Sequence, residues 1–164
     1  MNIFHPKLYV KNVQAIDLTK LQALGITNLI VDLDETLRKR NSDHIPEESI
    51  KWIAEVKRRG FKVCITSNNP FPWQLKKIEK IFDVSCSFFA LKPLPFSFCC
   101  AMRLLKSKPS DTASIGDQLF TDIFGANLLG IYSILVDPIT GIEKGISRRI
   151  MRWLEQKVFF RELT

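Results

Sequence analysis

The feature that most constrains the fold is a regular alternation of short apolar runs with segments of helical periodicity. The apolar runs predict strands at 29–31, 61–66, 84–89, 113–115 and 132–136. Between and after them, helical spacing predicts helices at about 47–59, 73–81, 95–106, 122–129 and 144–160. Because parallel strands need long crossover connections, this alternation predicts an α/β fold with three layers, a mostly parallel central sheet covered by helices on both faces.

The chain is long enough to bury one continuous core, with 164 residues of which 46% are hydrophobic. No internal repeat, low-complexity tract or Gly/Ser linker divides it. We therefore predict a single domain over residues 1–164, with the chemistry-bearing motifs within 29–122 and an amphipathic helix at about 144–160.

The charge balance favours an anionic partner, since 24 Lys+Arg against 17 Asp+Glu give a net charge of +7. Phosphate, nucleic acid and an acidic membrane surface all satisfy this condition.

The first thirty residues match neither a secretory signal nor a membrane span, which predicts a cytoplasmic protein. The four cysteines lack C-x-x-C spacing and only two histidines are present, so we expect reduced thiols and no structural zinc.

Polar clusters directly follow four of the apolar runs. In such sheets the carboxyl ends of parallel strands share one edge, where ligands bind, so these clusters are expected to converge. The clusters are Asp32, Asp34 and Thr36; Ser67 and Asn68; Lys92; and Asp117 and Asp122. Each cluster alone is ordinary turn or helix-cap chemistry, and only their joint order and spacing favour an active site.

Two carboxylates at positions i and i+2 can divide the work of phosphoryl transfer. We predict that Asp32 attacks phosphorus in line, and that Asp34 donates a proton to the leaving oxygen and later accepts one from water. Lys92 is the third predicted catalytic residue, because its charge can neutralise both the phosphate and Asp32. Phosphate binding is assigned to Ser67, Asn68 and Thr36, the last of which also supports its loop.

The same acids predict a magnesium site, since Mg²⁺ prefers hard oxygen ligands and retains waters. The predicted protein ligands are Asp32, the backbone carbonyl of Asp34, and Asp117, completed by substrate phosphate and water. Asp122 is expected to orient Lys92 or a metal-bound water.

Four segments resemble the motifs of the haloacid dehalogenase superfamily, in the order typical of that superfamily. They are LIVDLDETL at 29–37, VCITSN at 63–68, KP at 92–93 and GDQLFTD at 116–122. The resemblance implies a Rossmann-like core and a phosphorylated Asp32 intermediate, and an aspartate at position 34 is similar to the phosphatase branches. Thr66 and Ser67 both offer a hydroxyl, and the resemblance favours Ser67.

Neither gap between these motifs has room for a cap domain, so the resemblance implies an open site. Segments 8–13, 67–69 and 116–122 resemble the YqeG-type phosphatases, a subfamily that includes phosphatidylglycerophosphate phosphatases. This narrower resemblance implies a lipid-headgroup phosphomonoester as substrate and a role in phosphatidylglycerol synthesis.

Two basic features each allow two interpretations. In the predicted C-terminal helix, an apolar stripe bordered by arginines either lies on an anionic membrane at its inner face or packs on the sheet. The run Arg38, Lys39 and Arg40 either meets a second substrate phosphate or a bilayer, or forms an exposed flap.

Two rival functions remain open. A phosphatase for a soluble metabolite or nucleotide would need the same catalytic residues, and a non-catalytic module could use the net charge to bind polyanions. No RNA-reading signature with interleaved aromatics is present, so we expect no nucleic-acid partner. The sequence does not determine the oligomeric state.

Overall fold

Six parallel strands form one sheet in the computed structural model, which describes residues 3–67, 72–87 and 95–141. The strand order is β1-β6-β5-β2-β3-β4, and every neighbouring pair is parallel. The strands are β1 (Leu8–Val10), β2 (Asn28–Asp32), β3 (Lys62–Thr66), β4 (Ser85–Ser87), β5 (Thr112–Gly116) and β6 (Tyr132–Val136). The predicted α/β fold with a mostly parallel sheet is confirmed.

In the described parts of the chain, five α-helices lie between consecutive strands. They are α1 (Leu18–Ala23), α2 (Glu47–Arg58), α3 (Pro72–Phe82), α4 (Pro95–Leu105) and α5 (Phe124–Leu128). The ends of α2 suit the helix dipole, because Glu47 and Glu48 lie in its first turn and Lys57 and Arg58 in its last. None of the helices in the described ranges is both long enough and apolar enough to cross a bilayer.

The core lies on both faces of the sheet because successive residues of a strand point to opposite sides. From β2, Leu29 and Val31 join the larger cluster, which also contains buried residues of α1, α2 and α3. Ile30 points the other way, to a smaller cluster with Phe98 of α4 and Ala126 of α5. Burial on both faces explains why the central strands are continuous apolar runs in the sequence.

The structure differs from the sequence prediction at the two ends of the described fold. Strand β1 and helix α1 were not predicted, because three and six residues are too short to show a clear periodicity. The helix predicted at 122–129 begins earlier, as a π-helical turn at Leu119–Ile123, and continues as α5. The helix predicted at 144–160 lies outside the described residues.

The connection between β2 and β3 is fully described, and α2 is the only helix in it. Residues 33–61 therefore hold no cap domain, as the short gap predicted. In the described part of the connection from β3 to α4, the chain forms α3 and β4. The polar residues that end or directly follow β2, β3 and β5 lie at the carboxyl edge of the sheet.

Candidate active site

Three acids meet at the carboxyl edge of the central strands. Asp32 is the last residue of β2, Asp117 follows β5 directly, and Asp122 lies in the π-helical turn after it. One carboxylate oxygen from each lies within 4.8 Å of the other two. The parallel pairing of β2 with β5 thus brings Asp32 close to two acids that lie 85 and 90 residues later in the sequence. Two further predicted site residues, Lys92 and Asn68, lie outside the described residues.

Asp122 is held in the cluster by the turn that carries it. Its carboxylate accepts a hydrogen bond from the backbone N–H of Gln118 at 3.2 Å, and the residue is only 1% exposed. The side chain also passes directly over Gly116, where a Cβ atom would lie 2.2 Å from the Cγ of Asp122. A glycine is therefore required at 116 to admit the side chain of Asp122 in this position.

The carboxylate of Asp117 is the part of the cluster that best indicates a metal ligand. Its Oδ1 atom is buried and accepts no hydrogen bond. Burial and the neighbouring carboxylate of Asp122 raise the pKa of Asp117 to about 7, although the nearby Arg40 partly opposes this. A buried acceptor beside two further carboxylates fits a hard divalent cation, which would supply the compensating charge and take oxygen ligands. The acidic cluster thus has the ligand chemistry of a divalent-metal site.

Asp34 contacts two donors on the other side of the β2 loop. Its Oδ1 accepts from the Nε of Arg38 at 3.1 Å, and its Oδ2 accepts from the hydroxyl of Ser67 at 3.2 Å. Arg38 is only 3% exposed. Both interpretations of the basic run at 38–40 are therefore wrong for Arg38, which is buried against Asp34, whereas Lys39 and Arg40 are exposed.

The two candidate hydroxyls, on the last residue of β3 and on the residue after it, point to different partners. Thr66 directs its hydroxyl to the buried carbonyl oxygen of Val31 at 3.5 Å, and Ser67 directs its hydroxyl to Asp34. Thr36, in the β2 loop, has a buried hydroxyl oxygen with no hydrogen-bond partner. Of these three hydroxyls, only that of Ser67 contacts a predicted catalytic residue.

Glu35 organises the loop after β2 and was not predicted as a site residue from the sequence. Its φ of 69° lies in the left-handed region, which is unusual for a glutamate. Its buried carboxylate accepts from the backbone N–H of Arg40 at 2.8 Å, and from both the backbone N–H and the hydroxyl of Thr140. Burial opposes ionisation, but the hydrogen bonds from Thr140 and Arg40 outweigh it and lower the pKa of Glu35. The loop of Asp34 is thereby tied to the loop after β6.

Comparison with known proteins identifies the family. Residues 1–140 match the family model described as mitochondrial PGP phosphatase. The chain belongs to this family. It is also 34% identical over 161 residues to "Probable phosphatase YqeG" of Bacillus subtilis, covering 94% of this chain and 93% of that protein. The predicted membership of the YqeG-type phosphatases is confirmed, and the protein is an enzyme that acts on a phosphorylated substrate.

Solved structures agree on the fold of this PGP phosphatase family member. A haloacid dehalogenase (HAD) phosphatase from Thermococcus onnurineus matches with a TM-score of 0.52 and 18% identity, over 68% of this chain and 58% of that one. A 3-deoxy-D-manno-octulosonate 8-phosphate phosphatase from Moraxella catarrhalis, solved with magnesium and phosphate, matches with a TM-score of 0.53 and 12% identity. That match covers 90% of this chain and 100% of the other. At these identities the two structures support the HAD-like fold alone.

Because three acids are crowded together in this phosphatase, we expect Asp117→Asn to change both the stability of the metal-free protein and its response to Mg²⁺. At pH 8, above the raised pKa, the wild type carries the full penalty of an ionised Asp117 when no metal is bound. Removing that charge should raise the metal-free melting temperature by about 2–4 °C, equivalent to ~1 kcal/mol. The same variant should lose most of the stabilisation that added Mg²⁺ gives the wild type. Thermal unfolding with and without Mg²⁺ measures both effects, and a lower metal-free melting temperature would contradict the assignment.

Proposed function

We propose that this enzyme is a magnesium-dependent phosphatase that hydrolyses phosphatidylglycerophosphate through a phosphorylated Asp32. The observation that carries the chemistry is the convergence of Asp32, Asp117 and Asp122 within 4.8 Å at the carboxyl edge of the sheet. The lipid substrate is supported by the family match over residues 1–140, whose description names PGP phosphatase.

In the proposed first step, a carboxylate oxygen of Asp32 attacks phosphorus and forms a new P–O bond. The P–O bond to the leaving alcohol breaks, and the alcohol oxygen takes a proton from Asp34. In the second step, a water molecule attacks phosphorus and gives a proton to Asp34. The bond between phosphorus and Asp32 breaks, inorganic phosphate leaves, and both aspartates return to their starting state.

The acidic cluster would hold the metal through the carboxylates of Asp32 and Asp117 and the backbone carbonyl of Asp34. When bound, Mg²⁺ supplies positive charge that makes the clustered acids compatible with an anionic phosphate. Asp122, packed over Gly116 and contacting the N–H of Gln118, positions this group of ligands. Its distance from the other carboxylates also permits it to contact the metal directly.

Ser67 is the hydroxyl that we assign to phosphate binding in preference to Thr66. Its bond to Asp34 places the hydroxyl beside a catalytic carboxylate, whereas the Thr66 hydroxyl faces a backbone carbonyl. Asn68, Thr36 and Lys92 keep the roles proposed from the sequence, with Lys92 neutralising the transferring phosphate. Because the substrate is a membrane lipid, we propose that the enzyme works peripherally at the inner, cytoplasmic face of an anionic membrane.

The test is phosphate release from phosphatidylglycerophosphate in mixed micelles, with p-nitrophenyl phosphate and a soluble nucleotide monophosphate as competing substrates. We expect kcat/KM for the lipid to exceed that for either soluble ester by at least about 10²-fold, since recognition of remote substrate groups lowers the barrier at phosphorus. Chelation of Mg²⁺ should abolish release from all three. Equal or higher activity on a soluble ester would assign the enzyme to a metabolite or nucleotide substrate and overturn the lipid proposal.

A further inference from the structure

Three aromatic side chains stand out as the most exposed large hydrophobic residues in the described ranges. Phe96 is 68% exposed, Trp73 is 65% exposed and Phe120 is 61% exposed. Each ring keeps most of its surface in water, although Phe120 also packs edge-on against Phe4 at a centroid distance of 5.6 Å. Exposed aromatic rings that share one end of a molecule are typical of surfaces that bind a partner or a membrane. Their placement in the fold indicates which of the two they bind.

All three residues lie at the edge of the sheet that carries the acidic cluster. Trp73 and Phe96 are the second residues of α3 and α4. Each of these helices connects two parallel strands, so it begins near the carboxyl edge of the sheet and runs back towards the opposite edge. Phe120 lies in the π-helical turn, two residues before Asp122. Three separate connections therefore deliver an exposed aromatic ring to the end of the molecule where the substrate must enter. We call Trp73, Phe96 and Phe120 the aromatic rim.

The opposite ends of the same helices provide a contrast. Ile81 near the end of α3 is 38% exposed and Leu104 near the end of α4 is 51% exposed. Both are aliphatic residues. They lack the polarisable ring of an aromatic residue and the N–H donor of tryptophan, the features that suit a membrane interface. The exposed aromatic residues of α3 and α4 thus lie at the catalytic edge, whereas Phe82 and Phe98 of the same helices are buried in the core.

Charge identifies the occupant of this surface. Lys39 and Arg40 are exposed in the loop that follows β2, at the same edge, and Arg40 is close enough to Asp117 to affect its pKa. The whole chain carries a net charge of +7. A surface that combines interfacial aromatic rings with cations matches a bilayer of anionic phospholipid, which attracts basic groups and accepts aromatic rings at the headgroup level.

We propose that the aromatic rim, together with Lys39 and Arg40, docks the enzyme on an anionic phospholipid bilayer with its active site facing the membrane. This inference rests on the proposed lipid substrate and adds the surface by which the enzyme reaches it. Docking through the catalytic edge brings the phosphomonoester to Asp32 without extracting the lipid from the bilayer.

The experiment compares co-sedimentation with phosphatidylglycerol-containing vesicles for the wild type, a rim variant and a matched control. The rim variant is Trp73→Ser with Phe96→Ser, and the control is Ile81→Ser with Leu104→Ser, which changes two exposed residues of the same helices. The rim variant should partition at least about tenfold more weakly, because it removes the apolar area that would enter the interface. The control should partition like the wild type, and thermal unfolding of all three proteins verifies that each is folded.

A charge pair provides a second, independent arm. Lys39→Gln with Arg40→Gln should weaken binding to anionic vesicles severalfold, while Lys106→Gln with Lys108→Gln, at the other end of the molecule, should have a smaller effect. High salt should reduce the difference between these two pairs, because exposed charges are screened. Equal effects of the two pairs would show that net charge alone drives binding and would overturn the placement of the docking surface.

The outcomes separate this inference from the proposed substrate. If the wild type hydrolyses the lipid in micelles but the rim variant binds vesicles like the wild type, the docking surface is wrong and the substrate proposal stands. If the rim variant loses vesicle binding but the wild type prefers a soluble ester, the surface stands and the substrate proposal fails. If the rim variant instead dissociates an oligomer of the wild type in size-exclusion chromatography, the rim is an interface between copies and the inference is overturned.

Discussion

The Asp32→Asn variant is expected to lose at least about 10³-fold in Mg²⁺-dependent phosphate release, on lipid and soluble substrates alike. Asparagine keeps the shape of the side chain but cannot serve as the nucleophile or contribute a charged oxygen to the metal. Asp32 is 8% exposed at the end of the central strand β2, so the isosteric change leaves the packing of the sheet intact. Initial rates of phosphate release, with the variant's melting temperature measured in parallel, give the result.

Asp43→Asn is the matched control, because it removes an exposed carboxylate from the loop between β2 and α2. This control should retain wild-type rates. An Asp32→Asn enzyme that is folded and retains more than about a tenth of the wild-type rate is incompatible with a phosphorylated Asp32, since loss of a covalent nucleophile costs orders of magnitude. That outcome would leave the phosphatase family assignment intact and require another residue or a water molecule as the nucleophile.

Gly116→Ala should have the second-largest effect, although the glycine itself has no chemical group to contribute. The added Cβ would lie 2.2 Å from the Cγ and 2.3 Å from the Oδ2 of Asp122, so the carboxylate has to leave its present position. Displacing a group that positions metal ligands costs 10- to 100-fold in metal affinity or activity as a rough expectation. We therefore expect about a 10²-fold loss of activity and a reduced stabilisation by Mg²⁺ in thermal unfolding.

Two variants isolate the cause of that loss. Gly25→Ala meets no atom within 4 Å but has a φ of +78°, so it should cost about 1–2 kcal/mol of stability without changing the response to Mg²⁺. Asp122→Asn keeps the shape of the side chain and should reduce activity without the steric conflict. If Gly116→Ala responds to Mg²⁺ like the wild type, the close packing of Asp122 over Gly116 does not control the metal site.

The central part of the fold was predictable because its strands are buried on both faces. Strands such as β2 and β5 are apolar runs that end directly on acids, and parallel pairing then requires Asp32 and Asp117 to be near each other. The same reasoning gave α2, whose apolar spacing and terminal charges agree with its observed bounds. Strands and helices that pack on the core along their whole length were therefore predictable from the burial and the periodicity of their apolar residues.

The remaining features depend on contacts that a local pattern does not contain. Arg38 belongs to a basic run that suggests exposure, yet the loop turns it inward to Asp34. Glu35 adopts a left-handed backbone conformation and binds Thr140, which is 105 residues away. Gly116 was included in a motif, but its role depends on the path of the Asp122 side chain. In each case the role of the residue depends on a contact with a partner that is distant in sequence, or on the direction in which a side chain points.

The strand order has a consequence for how this enzyme can be made. Strand β1, near the start of the chain, pairs with β6, so that Leu8 lies opposite Ile134. During synthesis the first strand has no partner until more than a hundred further residues have been added, and the sheet cannot acquire its β1 edge before then. The acids also converge only after β5 has joined β2. Nascent chains that stop before β6 should therefore expose apolar strand edges, depend on chaperones and lack enzymatic activity.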